Sequence, residues 1–205
     1  MTTTSPQRAA LAVLRLAPAG FLIAALPLLL DAVTGAPGGA AELHQRAPDV
    51  LGKAALVTLL GSYAVTPVAT LSGWRWHIAL RRDLALWTTG LALADLLIAA
   101  TLDEHGWVDG VAGKAGLATG TLATLLLVPL AATSNRWSMR LLGRDWKRLH
   151  RLITPILVLV GLHLFAVGPE VFAWVFLAVV VVLRALLVRR VVRWIAVRRA
   201  AVQPC

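Results

Sequence analysis

Six stretches of mostly apolar residues dominate the chain, at about 9–31, 50–72, 83–103, 111–133, 150–168 and 170–188. A helix rises about 1.5 Å per residue, so about 20 such residues cross the ~30 Å hydrocarbon layer of a bilayer. No water reaches backbone N–H and C=O groups in that layer, and helices satisfy them internally. The expected fold class is therefore all-α: a polytopic membrane protein folded as a six-helix transmembrane bundle. Composition agrees with this. The chain of 205 residues is 59% hydrophobic and 15% charged, whereas soluble domains hold about 45–50% apolar and about 25% charged residues. Its one cysteine, Cys205, excludes an internal disulfide scaffold and, as the last residue, lies outside the four-residue prenylation motif.

The net charge of +10 comes from 20 basic and 10 acidic residues, and the basic ones alternate between the segments joining the spans. Arg8 and Arg15 precede or open the first span, and Arg75, Arg81 and Arg82 lie between the second and third. Arg136, Arg140, Arg144, Lys147, Arg148 and Arg151 lie between the fourth and fifth, and Arg184, Arg189, Arg190, Arg193, Arg198 and Arg199 end the chain. The opposite side holds Arg46, Lys53 and Lys114 against the acids Asp31, Glu42, Asp49, Asp103, Glu104, Asp109 and Glu170. The positive-inside rule then places both termini in the cytoplasm of a multi-pass protein of a bacterial inner membrane. Topology thus absorbs the basic excess: the lipid bilayer is the expected partner, and no nucleic acid is.

The tryptophans fit the same map. Trp74, Trp76, Trp137, Trp146 and Trp194 fall near the cytoplasmic interface and Trp107 and Trp174 near the outer one, which reads as an aromatic belt. The first span, with Arg15, Pro18, Pro27 and the small residues around Val33 to Ala36, has some marks of a signal peptide, although its apolar stretch is long for one. Residues 1–188 are read as the bundle and 189–205 as a basic cytoplasmic tail, with an amphipathic interfacial helix from Arg189 to Arg199.

Two faces of small residues mark close packing. Gly116 and Gly120, with Gly113 before them, form a small-xxx-small pair in the fourth span. Thr88, Ala92, Asp95 and Ala99 share one face of the third span, which leaves room for a neighbouring helix or for a flat cofactor. No phosphate-binding loop, dinucleotide fingerprint, zinc-protease motif or nucleophile elbow occurs. Chemistry must come from polar groups within the helices or at their ends.

Ionisable residues inside a span are costly and tend to mark function. Asp95 follows Arg82 by thirteen residues and His163 follows His150 by thirteen, so both sit ~20 Å from the cytoplasmic side, at matching depth. Histidine is a common metal ligand and a usual axial ligand of haem iron. His163 is thus read either as a ligand or as a hydrogen-bonded core histidine, and His150 as a ligand or an interfacial residue. One histidine near each leaflet suits a stack of two haems. Thirteen steps of about 100° do not aim both at one face, and a kink at Pro155 would be needed to align them.

At these residues the chain resembles the ferric reductase-like transmembrane domain family, and within it the haem-binding membrane subunits of the periplasmic methionine sulfoxide reductase system. The resemblance rests on Thr66-Pro67, on Arg81-Arg82-x-Leu84, on Ala132-Thr133-Ser134, and on Leu142-Gly143-x-x-Trp146-x-x-Leu149-His150 followed by His163. It covers about residues 56–168. It implies a membrane electron carrier with one or two haem b groups held by histidines of the third and fifth spans. It also implies a flavin or quinone as electron donor and a periplasmic or membrane redox protein, ferric iron or oxygen as acceptor. On that reading His163 is an axial ligand, His150 is a second candidate, and cytoplasmic arginines meet haem propionates or a flavin phosphate. Where the sulfoxide reductase subunits carry Leu-His in the third span, this chain has Ala94-Asp95, and a carboxylate is a poor axial ligand. His105 is ~15 Å beyond Asp95, too far to replace it. His77 could serve only an inner haem facing His150.

Three readings follow: a haem electron-transfer module, a haem-free relative acting as a membrane scaffold or subunit, and a proton relay through Asp95 and His163. With no flavin or nicotinamide fingerprint in the sequence, a complete reductase in this one chain is not expected.

Overall fold

The computed structural model describes residues 48–72, 80–102, 115–167 and 170–202, with a few isolated positions before residue 47 and side chains as far as Arg189. The first span, the loop holding His77 and the loop holding His105 lie outside the described residues. The described elements are all helical. A π-turn at Pro48–Gly52 leads into α1 (Lys53–Ser72), followed by α2 (Leu80–Leu102) and α3 (Ala115–Ala132). Two short helices, α4 (Arg136–Leu142) and α5 (Arg144–Leu149), and a 3-10 turn (His150–Leu152) precede α6 (Ile153–Val167) and α7 (Glu170–Val202).

Among the described residues, five stretches are long and apolar enough to cross a membrane: Val50–Ser72, Leu80–Thr101, Ala115–Ala132, Arg144–Val167 and Glu170–Arg189. They correspond to the second to sixth stretches of the sequence. The helix containing the third span starts three residues early, at Leu80, because the stems of Arg81 and Arg82 can lie along apolar surface while their charged ends reach water. Pro155 does not kink a span from within. The break is the 3-10 turn, and Pro155 sits in the first turn of α6, where its missing N–H would have no helical partner anyway. α7 runs through the basic tail to Val202 as one helix.

The five described spans pack in a closed ring. α1 lies on α2, α2 on α3, α3 on α6 and α6 on α7, and α7 returns to α1, with the closest pairings between α1 and α2 and between α3 and α6. α1, α3 and α7 run toward the arginine-rich end of the bundle, and α2 and α6 run away from it. Three apolar clusters fill the interior. Leu51, Ala54, Ala55, Leu91 and Ile98 close the arginine-poor end between α1 and α2. Leu59, Leu157 and Phe176 join α1, α6 and α7 at the centre. Leu127, Leu130 and Ile156 lock α3 to α6 nearer the arginines.

The Thr88 end of the small-residue face of α2 meets α1. Thr88 is buried and its hydroxyl donates to Thr58 Oγ1 on α1 at 3.0 Å, while the Thr58 hydroxyl bonds back to the carbonyls of Ala54 and Ala55. Ser62 of α1 likewise donates to the carbonyl of Arg81, at 3.0 Å. Such bonds satisfy side-chain hydroxyls without opening the backbone ladder, and their small side chains let α1 and α2 approach closely.

Candidate functional site

His163 sits one turn before the end of α6, against the first turns of α3. Its Nδ1 is 2.8 Å from the carbonyl oxygen of Gly116. A carbonyl only accepts, so Nδ1 carries the proton, and in the corresponding neutral tautomer the lone pair is on Nε2. The two glycines of α3 make this seat. A Cβ on Gly120 would stand 2.6 Å from Nδ1 and 2.7 Å from Cε1 of His163, and a Cβ on Gly116 would stand 2.9 Å from Cβ of Ala166. The small-xxx-small pair is thus where α6 presses its histidine onto the backbone of α3.

His150 occupies the other end of the bundle, in the 3-10 turn before α6. Its Nδ1 is 3.1 Å from the carbonyl of Trp146, which again places the proton on Nδ1. Its Nε2 is buried and has no hydrogen-bond partner among the described residues. Trp146 also stacks on the imidazole, with centroids 4.0 Å apart and planes at 27°, and its indole Nε1 donates to the carbonyl of Thr133 at 2.9 Å. One residue therefore fixes the ring of His150 from two sides and ties it to the end of α3. Arg81 at the start of α2 lies near enough for its charge to act on His150.

Local backbone chemistry builds this corner. Asn135 caps α4, with its side-chain oxygen accepting from Ser138 N at 2.7 Å. Gly143 joins α4 to α5 with φ of +50°, a conformation that L side chains rarely adopt. That turn sends α5 back across the end of α3 and delivers Trp146 and His150 to it, which accounts for the Gly143-x-x-Trp146-x-x-x-His150 spacing. The ion pair of Arg148 with Asp145, at 3.0 Å, is exposed on the outside of α5 and adds little to this corner.

Asp95 and His163 share the arginine-poor half, as their equal spacing from the arginine-rich side suggests, but they turn to different helices. The Asp95 carboxylate faces the turn entering α1, with Oδ2 3.8 Å from where a Cβ on Gly52 would stand, whereas His163 faces α3. His77 lies outside the described residues. Sequence reasoning assigned Trp146 to an interfacial belt. The structure makes it the support of His150, and its place four residues before a histidine at a helix start was the available signal. It also did not find the Gly116 carbonyl, because a backbone acceptor leaves no mark in a sequence. No group of three or more metal-ligating side chains occurs among the described residues. The donor set available is two imidazoles, each with Nδ1 engaged and Nε2 left to bind. That is the arrangement of metal-bound histidines, in which a hydrogen bond on the remote nitrogen fixes the tautomer. These two residues fit axial ligation of haem. Asp95 does not.

Comparison with known proteins shows the family. The family described as ferric reductase like transmembrane component matches residues 51–161, from the turn into α1 to the middle of α6. The chain is 35% identical over 184 residues to the protein-methionine-sulfoxide reductase heme-binding subunit MsrQ of Rhizobium meliloti (strain 1021), covering 85% of this chain and 83% of that one. No solved structure matches it. The family match over more than half of the chain and the 35% identity to MsrQ place this chain in the ferric reductase-like transmembrane family, as an MsrQ-like member.

Proposed function

We propose that this chain is the haem b-binding membrane subunit of an electron-transfer system, passing electrons across the inner membrane to a periplasmic or membrane redox partner. The setting of His163 carries the proposal: Nδ1 is held by the Gly116 carbonyl and the ring is seated on Gly120, leaving Nε2 as the donor atom. Haem bound there would supply a one-electron carrier within the low-dielectric interior. The family match and the heme-binding relative support this reading.

The residues divide the work by depth. His163 would hold haem in the arginine-poor half through Nε2, with the Gly116 carbonyl fixing its tautomer. His150 would hold an inner haem, with Trp146 fixing its ring plane and His77, outside the described residues, as the candidate second ligand. Arg81, beside His150, is suited to a propionate, because guanidinium pairs bidentately with carboxylates. With both termini in the cytoplasm, the electron donor, a flavin or quinone, would meet this arginine-rich end. The family resemblance leads one to expect a histidine at the position of Asp95, so a haem on His163 would have one protein imidazole.

Asp95 is also the observation that favours a second reading, a haem-free subunit on the same fold. Oxidised and dithionite-reduced absorption spectra of the detergent-purified protein, expressed with haem supplied, decide between them. Haem bands in the wild type are the expected result, with those of the haem held by His163 lost in His163→Ala. A colourless wild type overturns the redox reading and leaves the scaffold.

A further inference from the structure

A groove of about 250 Å³ runs between α6 and α7, away from both histidines. Its walls are apolar, including Leu157, Gly161, Phe165 and Phe176, and its one charged residue is Arg184. Arg184 stands at the arginine-rich end of the groove beside Thr154. Among the described residues its guanidinium meets one oxygen, Thr154 Oγ1, at 3.5 Å, the long limit of a hydrogen bond. A guanidinium offers five donors. The cation therefore presents most of its hydrogen-bonding capacity to whatever occupies the mouth of the groove.

Length and depth identify the chemistry that suits it. From Thr154 to Phe165 is eleven residues of α6, or ~16 Å, about half the ~30 Å hydrocarbon core. Arg184 lies five residues before Arg189, where the apolar part of α7 ends, or ~7 Å inside that limit. Arginine stems of that reach bring the charge to headgroup level. A trough one leaflet deep with a cation at its interfacial mouth is complementary to a molecule with one anionic head and one long apolar chain. We infer that the α6–α7 groove is a binding site for an anionic phospholipid of the arginine-rich leaflet, its phosphate on Arg184 and Thr154 and one acyl chain along Gly161 to Phe165. The site is independent of haem.

The test reconstitutes the full-length protein in nanodiscs of phosphatidylglycerol and phosphatidylcholine, each carrying a trace of spin-labelled lipid, and measures the fraction of immobilised label. Phosphatidylglycerol should be preferred about fivefold through this one arginine. Arg184→Gln should abolish that preference and Arg184→Lys should retain it. Arg189→Gln, whose arginine lies outside the groove, should leave it unchanged. Gly161→Leu should reduce immobilisation of the labelled chain, because the added side chain would stand in the groove toward Phe176, whose ring lies 3.7 Å from where a Cβ would be. Equal immobilisation of both lipids would overturn the site, as would equal loss in Arg184→Gln and Arg189→Gln, which would reflect general membrane electrostatics. Unchanged binding in Gly161→Leu would remove the acyl chain from the groove.

Discussion

The substitution Gly120→Ala puts the seat of His163 to a quantitative test. The added methyl carbon would lie 2.6 Å from Nδ1, where ordinary contacts begin near 3.4 Å, so the imidazole must withdraw from α3 by about 0.8 Å. That movement stretches its 2.8 Å bond to the Gly116 carbonyl to about 3.6 Å, beyond hydrogen-bonding range. Losing the bond costs about 1 kcal/mol, and overpacking a closed interface costs about 1–3 kcal/mol. Alanine's preference for helix returns about 1 kcal/mol. The net is a loss of about 1–3 kcal/mol, assayed by thermal unfolding in detergent on the wild type, both single variants and the double variant with His163→Ala. In the His163→Ala background the obstacle is gone, so Gly120→Ala should be neutral or stabilising by up to about 1 kcal/mol. Equal destabilisation in both backgrounds would refute the contact as the reason Gly120 is a glycine.

Trp146→Phe keeps a ring over His150 but removes the 2.9 Å bond to the Thr133 carbonyl, and should cost about 1 kcal/mol in the same unfolding assay. Trp146→Leu also removes the stacking and should shift the spectrum of any haem held by His150 while leaving bands that depend on His163. Gly143→Ala forces a side chain into a backbone with φ of +50° and should destabilise by about 1–3 kcal/mol, although no atom stands in the way of the methyl. Thr88→Val breaks the hydroxyl bridge to α1 but leaves Thr58 bonded to its own helix, so its cost should stay near the ~0.6 kcal/mol typical of interhelical bonds in membranes.

The spans were legible because bilayer thickness acts on length and hydropathy alone: the second stretch, 50–72, coincides with Val50–Ser72. Depth was legible for the same reason. Counting thirteen residues from Arg82 and from His150 put Asp95 and His163 in one half of the bundle, where they lie. Direction around the helix axis was not legible. Periodicity shows that Thr88 and Ala92 share a face, but only packing decides that α1 covers it. The Gly116 and Gly120 spacing announced a close approach without naming its partner, which lies 43 residues away at His163. The 3-10 turn at His150 was hidden for another reason: Pro155 drew attention as the kink, yet a proline in a first turn disturbs nothing.

The unbroken course of α7 makes the outer wall of the bundle a stiff rod. Its 33 residues from Glu170 to Val202 include neither glycine nor proline and extend ~50 Å, against a hydrocarbon layer of ~30 Å. Phe176, packed with Leu59 and Leu157, holds it to α1 and α6, and Arg184 beside Thr154 holds it to α6 again nearer the arginine-rich end. The ~20 Å by which it exceeds the hydrocarbon layer matches the stretch beyond Arg189, so the basic tail is a continuation of the last spanning helix and not a separate element.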